Sequence, residues 1–84
     1  MARCSDLKPG DQVVYRLHEN GKDDYGDGTV VLVTPGFVHT SRLEGYRNRD
    51  DAVPFSDMLA KYDPDGEEMR FGHIHGPSVR LEAT

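Results

Sequence analysis

The sequence predicts an all-β domain, most simply a small antiparallel barrel of about five strands. Short runs rich in β-branched and aromatic residues alternate with turn residues, at the spacing of roughly 8 to 12 residues that is typical of small barrels and sandwiches. The chain has only 84 residues, and closure into a barrel would remove the exposed edges of a short open sheet. An open meander completed by a second subunit is the alternative.

The first predicted strand begins after a Pro-Gly turn. Pro9 fixes its own φ and Gly10 supplies a permissive backbone position, which together favour a turn. Residues 12–17, QVVYRL, then alternate so that Val13, Tyr15 and Leu17 share one face of a strand. The next segment, 18–28, is rich in glycine and acidic residues and predicts an exposed loop.

A hairpin is predicted in the middle of the chain. Residues 29–34, TVVLVT, are the most apolar stretch and predict a buried central strand. The two-residue connection Pro35-Gly36 leads directly into a second strand over 37–43, as in an antiparallel hairpin. A charged loop is expected over 44–52, followed by a short extended piece over 53–55 that its proline confines to an edge or a strand end.

The C-terminal third predicts a connector and an added hairpin. Residues 56–62 are expected to form a short helical turn, which is too short to be stable without packing. The sequence DPDG at 63–66 predicts a turn. Strands are expected over 67–74 and 78–81, so residues 63–84 would extend a core barrel of residues 7–62 within one domain of residues 1–84.

The order of these features resembles a known class of small barrels. The segments are KPGDQVVY, an acidic glycine-containing loop, GTVVLVTPGFVHTSRL and VPFSDML. Across residues 7–62 this order is similar to the SH3-like modules of the Tudor, KOW and CarD type, the last of which interact with RNA polymerase. The resemblance implies an interaction module, often in transcription, translation or chromatin. It implies no particular partner, because one fold hosts many functions.

Composition favours a protein partner over nucleic acid. Fifteen acidic residues against ten basic ones give a net charge of −5, and no stripe of basic residues is present of the kind that phosphate contacts require. No stretch approaches the roughly 20 apolar residues of a membrane span. A single cysteine, Cys4, cannot form an internal disulfide, and there is no apolar leader, so we expect a cytoplasmic protein that binds no membrane.

Exposed tyrosine and arginine side chains are the predicted binding residues. Both residue types are frequent hot spots of protein interfaces, and both stack on nucleic-acid bases. The candidates are Tyr15, Tyr25, Tyr46, Arg47 and Arg49. Tyr25 and Tyr46 are the stronger ones because they lie in polar segments, whereas Phe37 and Phe55 are predicted to belong to the core.

A pair of histidines is the only motif that suggests a metal. His73 and His75 would project from the same face of a strand, as two ligands of one ion do. His39 or His18 could add a third ligand and a carboxylate such as Glu67 a fourth. The pair alone is half of a tetrahedral site, so two solvated histidines remain the favoured interpretation, and no cofactor is predicted.

The predicted function is therefore a small, non-catalytic cytoplasmic binding module, a protein-interaction or adaptor domain. No motif for a serine hydrolase or a phosphate-binding loop is present, so no enzyme is expected. Glu19 and the aspartates of segment 18–28 could dock a basic partner. The alternatives are a nucleic-acid-binding barrel that uses Tyr46, Arg47 and Arg49, and a metal or small-molecule site at His73 and His75. A homo-oligomer is a further expectation, because a small core gains stability from a second copy.

Overall fold

The computed structural model describes all 84 residues and is all-β, as predicted. Two three-residue 3-10 turns, at Cys4–Asp6 and Phe55–Asp57, are its only helical segments. The strands are β1 (Ala2–Arg3), β2 (Gln12–Glu19), β3 (Lys22–Thr34), β4 (Phe37–Glu44), β5 (Arg47–Pro54), β6 (Met58–Phe71) and β7 (Ile74–Glu82). No helix has the length and apolar character that crossing a membrane would require.

The seven strands form one mixed sheet in the order β1-β7-β6-β2-β3-β4-β5. Strands β2 to β5 are an antiparallel meander, and β6 returns to pair with the free side of β2. Only the two-residue β1 is parallel to its neighbour, β7. The predicted closure into a five-strand barrel is not confirmed: the sheet is open, and β6 pairs with β7 on the side on which it would have to meet β5.

One hydrophobic cluster holds this open sheet together. Val53 of β5 and Leu81 of β7 lie near opposite ends of the strand order, yet both pack into the same cluster. The sheet must therefore curl around its core. The cluster consists of Cys4, Leu7, Val13, Tyr15, Val30, Val38, Val53, Met58 and Leu81. Because only 15 of the 84 residues are buried, each of these side chains supplies a large share of the hydrophobic stabilisation.

The shared face predicted for Val13, Tyr15 and Leu17 in β2 is confirmed, but Val14 between them is also fully buried, so β2 does not alternate in burial there. Val13 and Tyr15 are fully buried, and Leu17 packs against the same cluster from a partly exposed position. The predicted hairpin at Pro35-Gly36 is confirmed as well, since Thr34 pairs with Phe37 across it. The burial predicted for its first strand is wrong in part, because Val31 and Leu32 are 49% and 44% exposed. Alternating apolar side chains and turn residues predicted the shared face and the hairpin correctly because one strand face must be buried.

Two predicted loops are strands instead. Segment 18–28 contributes the end of β2 and the start of β3, which are joined only by Asn20-Gly21. Both turn residues have positive φ, 52° and 72°, as a tight hairpin turn of matching twist requires. Segment 44–52 likewise contains most of β5, joined to β4 by Gly45-Tyr46. The sequence did not predict these strands because their side chains are mostly polar. A strand that is largely exposed on both faces needs no alternation of apolar and polar residues.

The predicted helical turn at 56–62 is only the 3-10 turn Phe55–Asp57. Strand β6 follows at once, and its residues Met58 and Ala60 are both buried at the two-residue spacing of a strand. This strand pairs with β2 through residues 58–61 and then continues as the long partner of β7. The predicted boundary between the core barrel of residues 7–62 and the extension of residues 63–84 thus falls inside strand β6.

The predicted turn at 63–66 is a bulge within β6. Tyr62 and Glu67 both pair with Ser78, so the four residues between them have no partners of their own on β7. The hairpin turns instead at Gly72-His73, and the predicted break at 75–77 lies within β7. A proline and two turn-forming aspartates fit inside the strand because a bulge leaves their backbone groups outside the ladder.

Replacement of Gly66 by alanine tests the bulge. A Cβ atom at this position would lie closer than 3.0 Å to backbone atoms O, C and N of Ser78, and backbone cannot move aside as a side chain can. We expect Gly66→Ala to lower the free energy of unfolding by about 1–3 kcal/mol in urea denaturation. The adjacent exposed change Glu67→Ala is the control and should alter stability by less than about 0.5 kcal/mol. Equal stability of both variants would contradict the close approach.

Candidate functional site

A cleft of about 300 Å³ lies where the ends of three hairpins meet. The β2–β3 hairpin, the end of β4 and the β6–β7 turn each contribute to it. Its apolar wall is formed by Leu17, Leu43 and Ile74, beside the ring of Tyr25. We call this feature the hairpin cleft, because residues of all three hairpins line it.

The charge of the hairpin cleft is negative. Its carboxylates are Glu19, Asp24, Asp27 and Glu44, against the single guanidinium of Arg42. Asp24 and Asp27 form no ion pair within the protein. Unpaired carboxylates on low-dielectric apolar walls attract cations. The cleft can therefore receive a positively charged group with an apolar stem.

Arg42 fixes two of these carboxylates in place. Its side chain is only 8% exposed, and its Nε donates to Asp51 Oδ2 at 2.7 Å. The terminal nitrogens reach Glu19 Oε1 at 2.9 Å and Glu44 Oε2 at 3.4 Å. These bonds join β2, β4 and β5 at the rim of the cleft, so Glu19 and Glu44 are held by the fold rather than free in solvent.

Tyr15 belongs to the same network and is not a surface residue. Its side chain is fully buried; Thr40 Oγ1 donates to its hydroxyl at 3.0 Å, and the hydroxyl donates to Asp51 Oδ2 at 3.2 Å. Burial raises the pKa of Tyr15 to about 12, so the phenol is neutral. The structure therefore removes Tyr15 from the predicted binding residues, because its place in the alternation of β2 points it into the core.

Tyr25 does line the hairpin cleft. It is half-buried on β3, and its ring packs against Phe71 of β6, with ring centroids 6.0 Å apart and planes inclined by 53°. This tilted contact is a favourable aromatic geometry. It brings the β6–β7 turn onto β3, and it leaves part of the tyrosine ring available to a ligand.

The remaining predicted binding residues lie on the β4–β5 hairpin. Tyr46 is fully exposed at its turn. Arg47 and Arg49 line a separate surface hollow of about 450 Å³. Arg49 is partly neutralised, since it lies 3.1 Å from Glu44 and 3.9 Å from Glu19, whereas Arg47 forms no ion pair. This arrangement leaves one free cation beside one exposed aromatic ring.

The two histidines do not form the predicted pair on one strand face. His73 is in the turn before β7 and lines the hairpin cleft, whereas His75 is in β7, with Nδ1 3.5 Å from Glu68 Oε1. Nowhere in the structure do three or more histidine, cysteine, aspartate or glutamate side chains come together as metal ligands do. His39 is engaged elsewhere, with Nε2 3.0 Å from Thr34 Oγ1.

The phenylalanine predictions are half correct. Phe55 packs against the core, as expected, but Phe37 is 44% exposed beside the Pro35-Gly36 turn. Phe37 is paired with Pro54 on the edge strand β5. Phe37 therefore lies on the face of β4 that points away from the core, because the neighbouring residue Val38 is buried in the core.

Cys4 is a structural residue. It is fully buried in the hydrophobic cluster, and its thiol lies 3.8 Å from the carbonyl oxygen of Phe55. Desolvation raises the pKa of Cys4 to about 11, so the thiolate is scarce at neutral pH. A reactive cysteine has the opposite properties, namely exposure and a lowered pKa.

Sequence reasoning identified one side of the hairpin cleft and missed the other. Glu19, Asp24 and Asp27 belong to the segment that was expected to dock a basic partner. Leu43 and Ile74 carry no such signal, because only tertiary contacts bring β4 and the β6–β7 turn to that segment. Comparison of the chain with protein-family models, curated proteins and solved structures found no match.

Removal of the Tyr15 hydroxyl tests the buried network. Tyr15→Phe leaves the buried Thr40 hydroxyl without its acceptor and Asp51 without one donor, so we expect the free energy of unfolding to fall by about 1–3 kcal/mol. The same chemical change at the fully exposed Tyr46 is the control and should cost less than about 0.5 kcal/mol. Urea denaturation of both variants measures the difference. An equal, small effect at the two positions would show that the network contributes nothing.

The reactivity of Cys4 tests its burial. At pH 8 a thiol with a pKa of about 11 has roughly 100-fold less thiolate than an unperturbed cysteine. We therefore expect Ellman's reagent to modify the native protein at least about 100-fold more slowly than the urea-unfolded chain. Modification of the native protein at the rate of the unfolded chain would contradict this description of Cys4.

Proposed function

We propose that this chain is a small, non-catalytic protein-interaction module whose hairpin cleft binds a basic segment of a partner protein. The observation that supports this proposal is the composition of the cleft: unpaired carboxylates, an apolar wall and a partly exposed tyrosine ring in one depression. Lysine and arginine side chains match this lining because they combine a charged end with an apolar stem. Arginine also stacks on aromatic rings.

Two further observations support an SH3-like module. The five strands β2 to β6 form a meander whose last member returns to the first, and a single 3-10 turn precedes that last strand. This arrangement agrees with the order of features that resembles the SH3-like barrels. In this proposal β7 and β1 are additions at the edge of β6.

Binding without catalysis is supported by the state of the potential nucleophiles. The thiol of Cys4 and the hydroxyl of Tyr15 are both buried, and both have pKa values raised away from the reactive, deprotonated form. A cytoplasmic location remains part of the proposal, since the single cysteine serves the core and forms no disulfide. The acidic lining of the cleft favours a basic partner.

Binding of labelled peptides tests the proposed function. A fluorescein-labelled peptide that alternates lysine and arginine with glycine should bind, with an affinity that falls as salt rises. The double variant Asp24→Asn, Asp27→Asn removes the two unpaired carboxylates of the cleft. We expect it to weaken binding by about 3- to 10-fold, since each exposed charge contributes up to about 1 kcal/mol.

A matched double variant separates the cleft from net charge. Asp6→Asn, Asp65→Asn changes the net charge equally at exposed positions that do not line the cleft, and it should bind the peptide like the unmodified protein. Equal weakening by both double variants would contradict a localised site. Tighter binding of a single-stranded oligonucleotide than of the peptide would instead favour a nucleic-acid-binding barrel that uses Tyr46 and Arg47.

A further inference from the structure

His18, near the end of β2, lies between two carboxylates from different parts of the chain. Its Nδ1 is 2.7 Å from Oδ1 of Asp23 on β3. Its Nε2 is 3.2 Å from Oδ1 of Asp57 in the 3-10 turn before β6. Both ring nitrogens are thus at hydrogen-bond distance from an anionic oxygen.

This geometry specifies the protonation state of the ring. An ionised carboxylate only accepts hydrogen bonds, and a neutral imidazole donates from one nitrogen while the other carries a lone pair. Only the imidazolium ion can donate to both carboxylates at once. Loss of one proton would leave a lone pair of His18 facing either Asp23 or Asp57, which is repulsive.

The two carboxylates depend on His18 for their ion pairing. Neither Asp23 nor Asp57 has another ion-pair partner, and they are the charged groups that face the ring from β3 and from the 3-10 turn. The hydrogen bond to Asp57 and then that to Asp23 raise the pKa of His18 above its ordinary value of 6.5.

We propose that His18 is a protonation-dependent clasp that holds the tip of the β2–β3 hairpin against the 3-10 turn Phe55–Asp57 and releases one carboxylate when the ring loses a proton. Because the pKa of His18 is raised by folding, the clasp contributes its full stabilisation below about pH 6.5 and loses it as pH rises through the pKa of the folded state. The clasp orders the hairpin whether or not the cleft binds a ligand.

A titration followed by nuclear magnetic resonance tests the clasp. The ring of His18 should titrate with a midpoint above 6.5 in the unmodified protein. Amide protection factors at Glu19 and Lys22, which pair beside the hairpin turn, should fall several-fold as the ring deprotonates. Protection factors are the appropriate measure because they remove the intrinsic pH dependence of hydrogen exchange.

Three variants complete the experiment. Asp57→Asn should lower the midpoint of His18 and weaken the pH dependence of amide protection, and His18→Gln should abolish that dependence. Asp65→Asn, which removes an exposed carboxylate of β6 that does not contact the ring, should leave both unchanged. A midpoint of 6.5 or below in the unmodified protein would overturn the proposal. So would protection factors that stay constant through the titration, whatever the effect of the variants on stability.

Discussion

The buried guanidinium of Arg42 is the constraint on which the arrangement of β2, β4 and β5 depends. A charge that is almost removed from solvent must be paired, because an unpaired buried charge is strongly destabilising. Asp51 supplies the nearest oxygen, Oδ2, which lies 2.7 Å from Nε of Arg42. The same carboxylate oxygen also accepts a hydrogen bond from the hydroxyl of Tyr15. In a protein with a small apolar core, this network specifies which strand positions face one another in a way that valine packing alone cannot.

The same network links the core to the surface. Glu19 and Glu44 contact Arg42 on one side and line the hairpin cleft on the other. A cation that enters the cleft must therefore share these carboxylates with Arg42 and with Arg49. Asp24 and Asp27 are free of such competition, so they are the groups whose charge is fully available to a ligand.

The sequence predicted the parts of the fold that depend on local pattern. The alternation of apolar residues predicted that Val13 and Tyr15 lie in the core, because a strand face that is buried needs apolar residues at every second position. Pro35-Gly36 predicted a hairpin, because a tight turn needs particular residue types. The exposed strands around Asn20-Gly21 have no alternating pattern of apolar residues that would predict them. Nor did residue order indicate that Leu43 and Ile74, which are 31 positions apart in the chain, line the same cleft. Half of the cleft was therefore beyond prediction from sequence.

The open edge of the sheet has a consequence for self-association. Strand β5 leaves one row of backbone donors and acceptors unpaired along its outer side, and such rows are templates on which further chains can polymerise. Here the strand begins with a basic stretch, Arg47 to Arg49, continues with the acidic pair Asp50-Asp51, and ends in a proline that has no amide hydrogen. The opposite edge is the two-residue β1. Both edges of the sheet therefore carry features that disfavour edge-to-edge pairing with further chains.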